Sequence, residues 1–200
     1  MIRLGADGRG LDEAARILRG GGVVVYPTET VYGLGADPFS PRAIEKLFAI
    51  KGRSAHNAVL LIAANREQLR EAVAEWPEDA LQLVQAFWPG PLSLVLPKTA
   101  RISEALTGGG DAICVRCPGS EIARALCEAV GGPITSTSAN RSGEAPASTL
   151  AGFALDGVDA AIDVGALPPS APSTVYHVAA RRVLREGVIS ARAIEGALAT

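Results

Sequence analysis

The chain has 200 residues, of which 48% are apolar and 20% charged, and its formal charge at neutral pH is −2. That balance supplies enough apolar surface for one hydrophobic core, excludes a disordered chain, and argues against a protein that wraps nucleic acid along its whole surface. No apolar run approaches the ~18 residues of a spanning helix, and residues 1–10, with Arg3, Asp7 and Arg9, lack a signal-peptide pattern. The expectation is a cytoplasmic protein without a membrane anchor, a single domain over residues 1–200. Cys114, Cys117 and Cys127 leave at least one thiol unpaired, which fits a reducing compartment.

In chain order, Leu11, Ala14, Ala15 and Leu18 recur at helical spacing until Gly20-Gly21-Gly22 stops the helix. Val23-Val24-Val25-Tyr26 is a β-branched run read as a buried strand closed by Pro27. The next helix starts near Pro41 with Ser40 as N-cap, turns Ile44, Leu47 and Phe48 inward, and delivers the chain to Lys51-Gly52-Arg53. A strand over 59–63 follows, then helices over 66–74 and 77–87, a Pro89-Gly90-Pro91 turn and a strand over 92–96. Beyond Gly108-Gly109-Gly110 come a strand over 113–117, a helix over 120–130 and a short strand over 134–137. Strands over 160–163, 174–178 and 183–184 and a terminal helix complete the pattern. Several connections are too short for crossovers, so the fold class is α/β, with an open, twisted, mixed sheet and flanking helices.

Four polar clusters stand at the ends of predicted strands, where an open α/β sheet places its ligands. Thr28-Glu29-Thr30, with Tyr32 and Gly33, is either a turn whose hydroxyls satisfy local backbone or a pocket for a small polar substrate. Lys51 and Arg53 flank a glycine just past a helix; they either complement the helix dipole or clamp a polyphosphate. Ser136-Thr137-Ser138-Ala139-Asn140 is a polar turn or an anion nest, and no Walker loop occurs in the chain. Arg116 interrupts an apolar strand and must pair with an acidic side chain or with an anionic ligand. The Cys114/Cys117 pair reads as buried small hydrophobes in preference to a redox pair or half a zinc site, and no metal site is expected.

Taken in order and spacing, these pieces resemble the YrdC-like family of threonylcarbamoyl-AMP synthases, in its short, single-domain form. The resemblance runs from about Leu11 to Gly187 and rests on residues 21–34, Lys51-Gly52-Arg53, Trp88-Pro89-Gly90-Pro91-Leu92, Val115-Arg116, residues 136–140 with Ser142-Gly143, and Pro172-Ser173-Thr174-Val175 with Leu184-Arg185-Glu186-Gly187. It implies a large, positively lined concave cavity and a reaction of L-threonine, bicarbonate and ATP to threonylcarbamoyl-AMP and pyrophosphate, with Mg²⁺ accompanying the nucleotide. It further implies partner proteins that pass the threonylcarbamoyl group to tRNA, and leaves room for a weak direct tRNA contact. By the family's pattern Lys51 and Arg53 are catalytic; Lys51, Arg53, Asn57, Ser138, Asn140 and Arg185 bind ATP. Thr28, Thr30, Tyr32, Arg116, Ser136 and Ser173 bind threonine. The chain departs from many relatives at Ser54 and Ala58, where they have prolines, and at Ile62, where they have a histidine, so one substrate contact is expected to be missing. The alternative reading is a non-catalytic module that holds RNA in the same basic cavity.

Overall fold

In the computed structural model, which describes residues 1–52 and 58–199, ten strands join into one mixed sheet. The first half of the chain supplies β1 (Ile2–Leu4), α1 (Gly8–Arg19), β2 (Val24–Pro27), β3 (Tyr32–Gly35), α2 (Pro41–Lys51) and β4 (Leu60–Ile62). A 3₁₀ turn (Arg66–Leu69) precedes α3 (Glu78–Phe87), β5 (Leu92–Pro97), the single-turn α4 (Glu104–Thr107), β6 (Ala112–Arg116) and α5 (Glu121–Val130). The remainder is β7 (Ile134–Ser138), β8 (Ala160–Ile162), β9 (Thr174–His177), β10 (Arg182–Arg185) and α6 (Ala191–Leu198). The spatial order is β1-β8-β2-β3-β7-β4-β6-β5-β9-β10, with parallel and antiparallel neighbours mixed, as the short connections require. No helix among the described residues is long and apolar enough to cross a membrane.

Local chemistry sets the helix ends. Ser40 caps α2 by accepting from the Ala43 amide at 3.3 Å, Pro41 occupies its first turn, and Gly52 closes it at φ 59°, a conformation that costs glycine least. Ser120 caps α5 in the same way, and Gly131 ends it.

Alternation along the strands distributes the helices over two faces. Leu61, Leu94 and Val115 point to one side, under Leu83 of α3 and Ile194 of α6, while Val25 and Leu34 meet Ala43 and Leu47 of α2. Ile62, Val24 and Ile134 point to the other, under Ala14 and Leu18 of α1 and Ala123 and Leu126 of α5. Each fully buried Leu or Ile contributes about 1.5–3 kcal/mol relative to exposure.

Three elements differ from the sequence reading. β3 has no strand signal of its own, because glycines at two of four positions are unusual in strands. Here they make room for the Tyr26 ring on β2: a Cβ at Gly33 or Gly35 would lie 3.1 or 3.0 Å from it. The expected helix over 66–74 is only the 3₁₀ turn, since the Ala74 amide donates to Pro97 O and Val73 bridges Lys98, an edge contact that replaces further helical bonds. β1 has no periodic signal in its three residues and exists by pairing with β8.

Candidate functional site

The helices α1 and α5 cover only part of their sheet face. Across β4, Ile62 pairs with Arg116 of β6 and Ile134 of β7, whereas two residues earlier Leu60 pairs with Cys114 and Ser136. The row containing Leu60 lies beyond α5 and forms the floor of a cavity of about 500 Å³. Gly33 lies on the same floor beside Ser138, its register partner.

The β2–β3 connection, residues 28–31, is a tight hairpin loop at one wall. It is not extended, yet the turn brings the Thr28 and Thr30 hydroxyls to 3.1 Å. Thr28 Oγ1 also donates to Val31 O at 2.6 Å and accepts from the amides of Thr30 and Val31, so it holds the loop while lining the cavity. The opposite wall is the β9–β10 hairpin. Arg185 donates through Nε and one terminal nitrogen to Ser173 O at 3.1 and 2.8 Å, and through the latter to Ser173 Oγ at 3.1 Å.

The cavity therefore gathers Thr28, Thr30, Arg116, Ser136, Ser138, Ser173 and Arg185 from the residues singled out in the sequence. Lys51 and Asn140 stand behind Ser138. Lys51 is 4% exposed, and its ammonium donates to Ser138 O at 2.8 Å and Asn140 Oδ1 at 2.6 Å, with Ser138 Oγ at 3.5 Å. Ser138 Oγ also donates to Asn140 Oδ1 at 2.6 Å, and Asn140 Nδ2 donates to Glu144 O. One buried cation thus fixes the strand-to-turn transition at 138–140. Arg53, Asn57 and the Ser54 departure lie outside the described residues.

Tyr32 is a correction. Its side chain is fully buried among apolar residues and is not part of the cavity lining. Its hydroxyl donates to Gly165 O at 2.8 Å and accepts from the Val164 amide at 3.1 Å, so it anchors the 163–165 loop. Ile62 likewise does not line the cavity; it is packed with Leu126 and Ile134, while Ala58 does line it.

Two features escaped the sequence reading. Ser93 is completely buried yet lines the floor, its hydroxyl 3.1 Å from that of Ser173. The signal was present in Leu92-Ser93-Leu94, where strand alternation sets the serine opposite the leucines. Glu29 sits 3.3 Å from Arg116 across a buried ion pair, and nothing in the sequence singles it out as Arg116's partner.

The three thiols are free, and no group of His, Cys, Asp or Glu among the described residues is arranged to hold a metal. Desolvation pushes Cys114, on the cavity floor, up to about 12, and burial also raises Cys117 and Cys127. A thiol so disfavoured as thiolate is a poor nucleophile. A second concavity of about 470 Å³, with Arg19, Asp37 and Arg70 in its wall, contains none of the sequence-predicted residues.

Hydroxyl side chains and two guanidinium groups about a cavity on the uncovered face of a mixed sheet make an α/β domain whose pocket has the donors to hold a small anionic ligand. Residues 16–187 match the family model Sua5_yciO_yrdC, described as telomere recombination. A threonylcarbamoyl-AMP synthase of Halorhodospira halophila is 46% identical over 138 residues, 69% of this chain and 72% of the relative. One of Pyrococcus abyssi is 47% identical over 131 residues, 66% of this chain and 38% of the relative, so the matched stretch is well under half of that longer protein. The crystal structure of P. abyssi Sua5 complexed with L-threonine superposes with a TM-score of 0.90 at 37% identity, covering 98% of this chain and 59% of that one. The chain belongs to the Sua5/YciO/YrdC family.

Proposed function

We propose that this chain forms threonylcarbamoyl-AMP and pyrophosphate from L-threonine, bicarbonate and ATP, as a single domain over residues 1–200 working in the cytoplasm. The observation that carries the reading is the convergence of Thr30, Arg116, Ser136 and Ser173 with Ser138 and Arg185 on one cavity, backed by Lys51 and Asn140. The relatives' names and the threonine complex of the P. abyssi protein support the same assignment.

The threonine carboxylate pairs with Arg116, while the hydroxyls of Thr30, Ser136 and Ser173 satisfy the remaining polar atoms. Lys51, Arg53, Asn57, Ser138, Asn140 and Arg185 serve the nucleotide. The amine, having lost its ammonium proton, condenses with bicarbonate to a carbamate and water. A carbamate oxygen then forms a bond to the α-phosphorus of ATP, and the bond from that phosphorus to the β-bridging oxygen breaks, its electron pair leaving with pyrophosphate. Catalysis is by positioning and by charge neutralisation, the two effects on which transfer at phosphorus chiefly depends. The described residues offer no cluster of three carboxylate, His or Cys ligands for Mg²⁺, and the ion would accompany the triphosphate as its counter-ion. The product is a reactive mixed anhydride, which requires acceptor proteins that deliver it to tRNA.

Incubating the protein with threonine, labelled bicarbonate and ATP, and detecting threonylcarbamoyl-AMP by mass, tests the proposal. Lys51→Ala and Arg53→Ala are expected nearly to abolish threonine- and bicarbonate-dependent pyrophosphate release; unchanged turnover in either refutes its assignment.

A further inference from the structure

Among the described residues, the Arg116–Glu29 ion pair has the least exposed partners, with side chains 4% and 23% accessible. It is also incompletely bonded. Both Glu29 carboxylate oxygens and Arg116 Nε are buried without a hydrogen bond, and the pair's closest approach is the 3.3 Å between an Arg116 terminal nitrogen and Glu29 Oε1. Glu29 comes from the middle of the 28–31 loop, whose Thr28 and Thr30 line the cavity, but Glu29 itself does not line it. Its side chain runs beside Gly119, where a Cβ would lie 3.9 Å from the Glu29 Cγ and Cδ.

From this geometry we infer that Glu29 is a positioning residue for the amino-acid substrate, acting through Arg116. The inference rests on the reading of Arg116 as the ligand of the threonine carboxylate. A guanidinium taken out of water needs a compensating charge, and it offers five N–H donors in a rigid fork. A carboxylate on the loop side, 3.3 Å from one terminal nitrogen, balances that charge and draws the guanidinium toward it. Arg116 itself lines the cavity, where its remaining donors are available to a ligand. Because the Glu29 oxygens are inaccessible, they touch no substrate; the effect passes through the arginine. The hairpin that carries Thr28 and Thr30 therefore does two things, contributing hydroxyls to the wall and setting the direction of the cation on the floor.

The test is a set of variants measured by calorimetry with L-threonine and with L-threoninamide, which lacks the carboxylate, and by steady-state kinetics. In Glu29→Gln, the threonine Kd and KM are expected to rise roughly tenfold, the size of one lost charge-assisted contact. The ATP KM, the threoninamide Kd and kcat at saturating threonine stay within about twofold. Glu29→Asp, which keeps the charge but withdraws it by one methylene, gives a smaller loss in the same direction, and carries the comparison if Glu29→Gln does not fold. In an Arg116→Met background, which removes the partner charge, Glu29→Gln adds no further loss of threonine affinity. Unchanged threonine affinity in Glu29→Gln, an equal loss for threoninamide, or a full additional loss in the Arg116→Met background overturns the role of Glu29 alone. Wild-type protein that binds no L-threonine overturns the carboxylate reading of Arg116 as well.

Discussion

Lys51→Met keeps the length of the side chain and removes its ammonium, which separates the charge from the packing. The ammonium donates at 2.8 Å to Ser138 O and at 2.6 Å to Asn140 Oδ1, from a residue only 4% exposed. Hydrogen bonds to a charged group contribute about 1.5–3 kcal/mol each, and relief of the ammonium's burial offsets part of that sum, so the net loss is about 2–4 kcal/mol. In a domain of this size each kcal/mol moves the midpoint by about 2–4 °C, which puts the fall in Tm at roughly 5–15 °C. Thermal unfolding followed by circular dichroism reads that shift. Pyrophosphate release at a temperature where the variant remains folded reads the second effect, a drop of roughly a hundredfold or more, the usual consequence of deleting one preorganised charge from a transfer site. A Tm within about one degree of wild type would refute the claim that Lys51 holds the 138–140 turn. A lower Tm with undiminished turnover of the folded protein would refute its place in the site while leaving its structural role intact.

Tyr32→Phe deletes a hydroxyl that bonds Gly165 O and the Val164 amide, so urea unfolding should show a loss of about 1–2 kcal/mol, with the threonine KM unchanged; a raised KM would return Tyr32 to the pocket. Gly187→Ala drives a Cβ to 2.0 Å from Pro172 O, beside Ser173, and is expected to destabilise by about 2 kcal/mol or more and to raise the threonine KM, checked by denaturation and initial rates. The Cys114 thiol has its pKa raised from 9.0 to about 12 by desolvation, so the unfolded chain ionises first and stability is lost progressively as pH rises from about 9 to about 12. Cys114→Ala should flatten that part of the stability–pH curve, and an unchanged slope would show that the thiol is not desolvated.

Sequence signals were reliable where one local rule determines the outcome. Ser40 before Pro41, and Gly52 after Lys51, set both ends of α2 because capping involves only the residues present there. They were weak where a partner distant in the chain decides. Gly33 and Gly35 carry no strand signal, and only the Tyr26 ring, which occupies the space a side chain would fill, explains them, while the 66–74 helix is cut short by Pro97 and Lys98. The site followed the same division. Alternation places Cys114 and Arg116 on one face of β6, which a sequence can indicate. That Tyr32 turns into the core and Glu29 behind Arg116 depends on how one tight hairpin folds against β6, and the spacing of Thr28, Thr30 and Tyr32 alone does not contain it.

The strands around the cavity also bear on the choice between an enzyme and an RNA-holding module. On one face of β7 the chain passes from Ile134 to Ser136 to Ser138, and across the sheet the helix-covered row of Ile62 gives way to the open row of Leu60, Cys114 and Ser136. On β7 the apolar Ile134 lies under α5, and the hydroxyls of Ser136 and Ser138 follow where the sheet opens to the cavity, among apolar lining residues such as Leu60 and Val95. A hollow of about 500 Å³ is of the size that encloses a small molecule. RNA-holding surfaces instead rely on aromatic platforms and long basic tracks, and among the described residues that line this cavity none is aromatic and the cations are Arg116 and Arg185. Two fixed guanidinium groups about a floor of hydroxyls suit one carboxylate and one phosphate chain far better than a nucleic-acid backbone. RNA affinity that fell steeply with salt and competed with neither threonine nor ATP would contradict that argument.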